Sequence, residues 1–413
     1  MGVATDSGLK FIVIDDDQDI LDIETALLTK KGHQVITLTE SKAAYEKIKE
    51  EQPDCVLADI MMSDVDGMQL LQKIRDNEDL KDIKVILVSG RSFEFDRRQA
   101  MKLGADGFIS KPIDADTFVD SIHAYIADKI QMTFWGVRGT LPVPGPRAYK
   151  YGGNTSCVSL EFAKGQFFIF DAGSGIKELS NELMATRGGK INAKIFISHP
   201  HWDHINALPF FVPMYIPGNE FEILGAAHAS SSMRELISAQ MDDVYFPITM
   251  KEFGSRVYFK DLNQGGFEID GISVKTMLLS HPGNCLGYRI DYKGRSICYV
   301  TDNEMFLPDS PQYDPNYGKV LAAFVEGADA LITDCTYTDA EYASKVGWGH
   351  SCVSQVAELA HRANVQTLYL FHHDPDQDDT AIDEKLSLAQ ECLSALKSTT
   401  KVLAPSETLS VSL

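Results

Sequence analysis

A chain of 413 residues exceeds what one ordinary hydrophobic core organises, so two domains, or a small one followed by a large two-layered one, are expected. With 44% hydrophobic and 23% charged residues and no low-complexity tract, the composition excludes a disordered or fibrous protein, and no apolar run approaches the roughly 18 residues of a membrane span. Of the formal charge of −21, residues 1–128 carry −11, from eleven Lys and four Arg against nineteen Asp and seven Glu; neither part is basic, which disfavours a nucleic-acid partner.

The first residues, MGVATDSGLKF, lack the charged start and long apolar stretch of a secretory signal. Seven cysteines, Cys55, Cys157, Cys285, Cys298, Cys335, Cys352 and Cys392, are odd in number and contain no CxxC pair. They read as reduced thiols, and the expected location is cytoplasmic.

From Lys10 to about Asp128 short apolar runs alternate with amphipathic stretches. Strands are predicted at FIVI (11–14), QVITL (34–38), CVLA (55–58), KVILVS (84–89) and GFIS (107–110), and helices over Ile20–Lys31, Ser41–Glu51, Met68–Asp76 and Asp114–Asp128. This alternation predicts a doubly wound parallel sheet, whose ligand site lies at the carboxyl ends of the strands. The polar residues fall there: Asp15, Asp16 and Asp17 after the first strand, Asp59 after the third, Ser89 after the fourth, Lys111 after the fifth. Carboxylates brought together repel, so a hard divalent ion such as Mg²⁺ is the natural occupant.

The stretches IDDD, DIMMSDVDG, VSG and KPID resemble the response-regulator receiver family over residues 8–128. The resemblance implies a flavodoxin-like five-stranded sheet in which Asp59 accepts a phosphoryl group and Asp15, Asp16 and Asp59 hold Mg²⁺. It also implies that Lys111 pairs with the phosphoryl oxygens, that Ser89 hydrogen-bonds one of them, and that Phe108 is the switch aromatic. Ser63 stands where the family usually has Pro. A sensor histidine kinase or phosphotransfer protein is the implied phosphodonor.

Between the last of these helices and the strand-like MTFWGV (132–137) there is no Gly/Ser/Pro tether, so rigid coupling of the two domains is expected. Farther on, ISHPHWDHI (197–205) places His199, His201, Asp203 and His204 directly behind the strand predicted at Ala193–Ile197. In an extended segment alternate residues face one way, so His199 and His201 are aligned while Asp203 and His204 turn off, which suits two different metals. Imidazole with carboxylate suits zinc, iron or manganese better than calcium or magnesium.

Two metals need further ligands at strand ends. They are His281 after Ile272–Leu279, Asp302 after Ser296–Val300, and His372 or His373 after Thr367–Phe371. A helix is predicted over Cys352–Ala363.

FWGVRGTLPVPGP, YGGNTS, FDAGSG, SHPHWDHI, LSHPGNCLGYRI, YVTDNE, GWGHS and LFHHDP resemble the metallo-β-lactamase fold superfamily, in particular its phosphodiesterase branch of Z-type ribonucleases and cyclic-phosphate phosphodiesterases. The resemblance runs from about Met132 to the carboxyl end and implies an αββα sandwich over residues 129–413, after a receiver over 1–128. It implies one metal on His199, His201 and His281, a second on Asp203, His204 and His372, and Asp302 bridging them; zinc is the first choice, manganese and iron the alternatives. The resemblance further implies that Asp203 orients the attacking hydroxide and that His350 donates a proton to the leaving oxygen or stabilises the charged transition state. Asp334 and Cys335 stand where ribonuclease relatives carry a His-Glu pair, leaving the partner of His350 open, and the arm that grips tRNA is missing.

Asp171 is read as a support for a metal ligand. The apolar lip ALPFFVPMY (207–215) covers a small substrate, forms a homodimer contact or packs on the core, and Ser230–Met250 is expected to be partly helical. The leading reading is a response regulator whose output is a di-metal phosphodiesterase for a cyclic nucleotide or other small phosphodiester. The rivals are a glyoxalase-type thioester hydrolase and a non-catalytic metal-binding signalling module.

Overall fold

The computed structural model describes residues 8–90, 94–244 and 247–413. The reading of the amino terminus as lacking an export signal falls largely on residues 1–7, which lie outside the described residues, as do 245 and 246 within Ser230–Met250. The chain divides into two compact units, one running to Ile130 and including Phe162–Gly165, the other comprising Gln131–Glu161 and Gln166–Leu413. Among the described residues no helix is long and apolar enough to cross a membrane.

The first unit alternates β1 (Lys10–Ile14), α1 (Gln18–Lys30), β2 (Gln34–Leu38), α2 (Ala44–Glu51), β3 (Cys55–Asp59), α3 (Gly67–Arg75), β4 (Lys84–Ser89), α4 (Glu94–Lys102), β5 (Gly107–Ser110) and α5 (Phe118–Ile126). All five strands are parallel, in the order β2-β1-β3-β4-β5. The period of two divides the side chains between two helical layers: Ile12, Ile14, Val56 and Ala58 enter one core, Phe11, Val13, Cys55 and Leu57 the other. Two elements depart from expectation. Helix α4 has no counterpart in the sequence reading, because EFDRRQAMK carries too few apolar residues for a helical period to show. Helix α5 begins at Phe118 rather than Asp114, since the Asp114 carboxylate accepts from the amide of Asp116 at 2.9 Å and makes a turn of that stretch.

The second unit holds two seven-stranded sheets. One contains β6 (Ile130–Gly136), β7 (Cys157–Phe162), β8 (Phe167–Phe170), β9 (Asn192–Ile197), β10 (Glu220–Ala226) and β11 (Arg256–Leu262). The other contains β12 (Gly265–Ile269), β13 (Ile272–Leu278), β14 (Leu286–Tyr292), β15 (Arg295–Val300), β16 (Ala330–Asp334), β17 (Thr367–Phe371) and β18 (Lys401–Leu403). The last strand, β19 (Ser410–Ser412), returns to pair with β6 in the first sheet.

Aromatic side chains fill the space between the sheets. Phe134, Phe170 and Phe196 from one meet Tyr369, Tyr299 and Tyr288 from the other, with ring centroids 5.2–5.3 Å apart. The alternate residues face outward: Phe167, Ile169, Ile195 and Ile197 pack with α6 (Ile176–Arg187), while Leu368, Leu370, Cys298 and Val300 pack in the helical layer on the far side. The result is helix, sheet, sheet, helix. All seven cysteines are free. Most of the lip is core, with Ala207, Leu208, Phe211 and Met214 buried and only Phe210 half-exposed, because its two 3₁₀ turns lie against α6. Among the described residues of Ser230–Met250 the one α-helix is Met233–Ala239.

Phe170 touches Phe196, Tyr288 and Tyr299 at the centre of this layer. Phe170→Ala is expected to destabilise the second unit by about 3–5 kcal/mol, measured from the shift of its unfolding midpoint in urea.

Candidate functional site

In the first unit the strand ends bring Asp15, Asp16 and Asp59 together, each offering an oxygen within 4.8 Å of the others. The Lys111 ammonium donates to Asp15 Oδ2 at 2.6 Å and to Asp59 Oδ1 at 2.8 Å. Burial works against its charge, but the two carboxylates outweigh burial and raise its pKa. The second oxygen of Asp59 accepts from the Met61 amide at 2.8 Å, which fixes the carboxylate at the mouth of the sheet. Ser89, the last residue of β4, and Phe108, the second of β5, are buried. Beneath the acidic group lies Glu24 of α1, absent from the sequence reading: 1% exposed, with Oε1 unpartnered.

In the second unit strands of both mixed sheets deliver their donors at their carboxyl ends. His199 and His201 follow β9, His281 follows β13, Asp302 follows β15, and His372 follows β17. His199, His201, His281 and Asp302 form one group of donor atoms within 4.8 Å; Asp203, His204 and His372 form another. Asp302 divides its two oxygens between them. Oδ2 faces His199 Nε2 (3.5 Å) and His281 Nε2 (3.6 Å), while Oδ1 faces His204 Nε2 (3.3 Å) and His372 Nε2 (3.1 Å). His373, the alternative late ligand, points elsewhere, fully buried with neither ring nitrogen hydrogen-bonded.

In His199, His204, His281 and His372 the other ring nitrogen is held from behind, His199 Nδ1 lying 3.1 Å from Ser198 Oγ. Asp171 accepts from the amide and hydroxyl of Ser198, from Tyr299 Oη and from His204 Nδ1, at 2.7–2.8 Å. His281 Nδ1 lies 2.9 Å from the Gly349 carbonyl, and His372 Nδ1 3.3 Å from Thr336 Oγ1. With those atoms engaged, His199 Nε2 and His204 Nε2 are buried without any hydrogen-bond partner. Buried nitrogen acceptors aimed at shared carboxylates, with their far sides pinned, are what a divalent transition metal requires of histidine ligands. The donor set fits two such ions.

Backbone geometry supports the same convergence. Asp171, Asp302 and His372 take left-handed φ values of 59°, 51° and 59°, which turns each side chain out of the strand's alternation. Gly139 passes so close to the His372 ring that a Cβ there collides with it, and the next amide, Thr140, donates to Asp203 Oδ2 at 2.7 Å. Gly349 has φ +87°, and a Cβ on it strikes the His281 ring.

His350 shares a donor group with Asp302 and His372, and its ring lies over that of His372 with centroids 4.9 Å apart. The partner left open by the sequence is Asp334, whose Oδ2 lies 2.8 Å from His350 Nδ1. Burial depresses this imidazole, but the Asp334 carboxylate more than offsets it and lifts the pKa to about 9. Asp334 is itself fixed by the amides of Asn303 and Thr336 and the Thr336 hydroxyl. Sequence reasoning also missed Glu304, a buried acid two residues past Asp302 that accepts from the Gly347 and Gly349 amides at 2.7 Å. Its place just beyond a strand end, in YVTDNE, was the available signal.

Residues 11–123 match the family described as response regulator receiver domain, and residues 167–373 the one described as beta-lactamase superfamily domain. Protein PilG of Pseudomonas aeruginosa is 34% identical over 119 residues, which is 29% of this chain and 88% of that protein. Among solved structures, the metallo-beta-lactamase fold protein YhfI from Bacillus subtilis superposes with a TM-score of 0.49 at 17% identity, over 69% of this chain and 100% of its own. The short form of human tRNase Z does so with 0.45 at 22%, over 68% and 98%.

Burial, with Asp15 nearby, lifts the Glu24 carboxyl to about 8, so the folded unit keeps a proton that the unfolded chain releases near 4.5. Stability therefore falls as pH rises between those values. Glu24→Gln is expected to stabilise the first unit by about 1–3 kcal/mol above pH 8, the gain vanishing toward pH 4.5, as read from urea midpoints across pH. Asp171→Asn is expected to weaken metal binding about 10–100-fold in a competition titration with a chromogenic chelator.

Proposed function

The chain belongs to the beta-lactamase superfamily and carries a response regulator receiver domain, and on that premise we propose a two-component response regulator whose second unit is a di-metal phosphodiesterase for a small phosphodiester such as a cyclic nucleotide. In this reading the receiver spans residues 1–128 and the hydrolase 129–413. His199, His201 and His281 hold one cation, Asp203, His204 and His372 the other, and Asp302 serves both. Zinc-type cations bound there supply Lewis acidity toward a phosphoryl oxygen and acidify water.

The chain's own residues do the rest. Asp203, fixed by the Thr140 amide, offers an acceptor oxygen that orients the attacking water. His350, with Nδ1 bound to Asp334, offers the proton on its other nitrogen to the leaving oxygen.

That His350–Asp334 pair carries the choice of bond. A thiolate, with a thiol pKa near ~8.5, leaves a thioester unaided, whereas an alkoxide leaving phosphorus is far more basic and needs a proton. An acid positioned by a carboxylate beside Asp302 and His372 thus favours a phosphodiester over a thioester. The negative charge of the hydrolase part and the missing basic arm favour a small substrate over RNA.

In the receiver, a histidine kinase or phosphotransfer protein loads Asp59, with Mg²⁺ on Asp15, Asp16 and Asp59 and with Lys111 and Ser89 on the phosphoryl oxygens. Phe108 then moves as the switch aromatic.

The test is turnover of an activated phosphodiester and a matched thioester by the metal-loaded full chain. Diester hydrolysis is expected, with His350→Gln lowering kcat about 10²–10⁴-fold and leaving KM near its original value. Turnover of the thioester alone overturns the assignment. Loading Asp59 with a phosphoryl group is expected to change kcat in wild type and leave Asp59→Asn unaffected.

A further inference from the structure

Beside His350 the chain leaves an indole in water. Trp348 is 60% exposed, although tryptophan is a residue that folding normally covers. Its backbone is nonetheless fixed. The amides on either side, Gly347 and Gly349, both donate to the buried Glu304 carboxylate at 2.7 Å, and the Trp348 amide donates to the Lys345 carbonyl at 3.0 Å. The Lys345 ammonium lies 4.3 Å from the indole centroid and 5.3 Å from that of Tyr337, whose ring meets His350 edge-on at 6.0 Å. Trp348 thus carries a cation on its ring while more than half of the residue remains exposed.

The loop that holds this ring also holds the site: the Gly349 carbonyl pins His281, and His350 is two residues away, at most about 7.6 Å between Cα atoms. A flat, fixed aromatic surface loses little entropy when another ring is laid on it, and every nucleobase has a π-face to offer.

We propose that Trp348, backed by Lys345, is a specificity-determining platform on which the base of a nucleotide phosphodiester stacks while its phosphorus lies beside His350. This rests on the phosphodiesterase reading and narrows it to base-bearing substrates. Trp202, 82% exposed between His201 and Asp203, is a second uncovered indole on the other ligand loop and provides a comparison.

The experiment compares adenosine 2′,3′-cyclic phosphate with base-free ribose 2,3-cyclic phosphate, using the metal-loaded full chain and its Trp348→Ala, Trp348→Phe and Trp202→Ala variants. Quenching of tryptophan fluorescence by AMP against ribose 5-phosphate is recorded alongside. Trp348→Ala is expected to raise KM for the adenosine substrate about tenfold at little-changed kcat, to leave the base-free substrate unaffected, and to abolish AMP-specific quenching. Trp348→Phe is expected to restore most of the affinity. An equal effect on both substrates, or none on either, overturns the platform, as does an effect confined to Trp202→Ala. If wild type hydrolyses neither substrate, the phosphodiesterase reading falls by itself, and AMP-specific quenching lost in Trp348→Ala, or its absence in wild type, decides the platform.

Discussion

The buried carboxylate of Asp171 is the constraint on which the second unit is built. It follows β8 in one sheet, receives the hydroxyl of Tyr299 from the other, and fixes Ser198 and His204 on the ligand loop. Fold and donor geometry are therefore not separable here. The same tyrosine that packs on Phe170 in the aromatic layer carries the hydroxyl that braces the carboxylate behind a candidate ligand. A buried carboxylate of this kind is tolerated because each oxygen is satisfied by good donors, and the resulting network specifies one arrangement of three chain segments.

Both units use one construction. Strands pass through a core and release polar side chains at their carboxyl ends, three carboxylates and a lysine in the first, six histidine and carboxylate donors plus a shared aspartate in the second. The electrostatic solutions differ. In the first unit a lysine already stands between two of the acids and offsets part of their mutual repulsion. In the second, histidines outnumber the carboxylates and the acids are buried, a donor set that suits a transition metal better than a hard ion.

How much of this could be read from residues alone followed the range of the interaction. The five strands of the first unit and the ligand strands of the second were legible because their apolar residues run together or alternate with the period of a strand, and most end in charged or histidine residues. Helix α4 was hidden by its charge-rich sequence, and the turn at Asp114 by a side chain that mimics a helix start. The donors themselves were legible as residue types, since little but metal chemistry packs HxHxDH into six positions. The pairing of His350 with Asp334, and the hold of Glu304 on the Gly347–Gly349 loop, were not: each joins residues 16 to 45 positions apart, and no local pattern reports which buried acid faces which donor. Between His372 and His373 only the left-handed turn decides, because a one-residue step at a strand end exchanges the faces.

That turn, repeated at Asp171, Asp302 and His372, has a consequence for how such a site tolerates change. Each of these residues sits in a conformation that glycine adopts freely and a side chain resists. Selection for thermal robustness alone would drift toward glycine at these three corners, gaining backbone ease while erasing a support and two donors. Placing acid and imidazole there sets ease of folding against readiness for chemistry, concentrated in three peptide units.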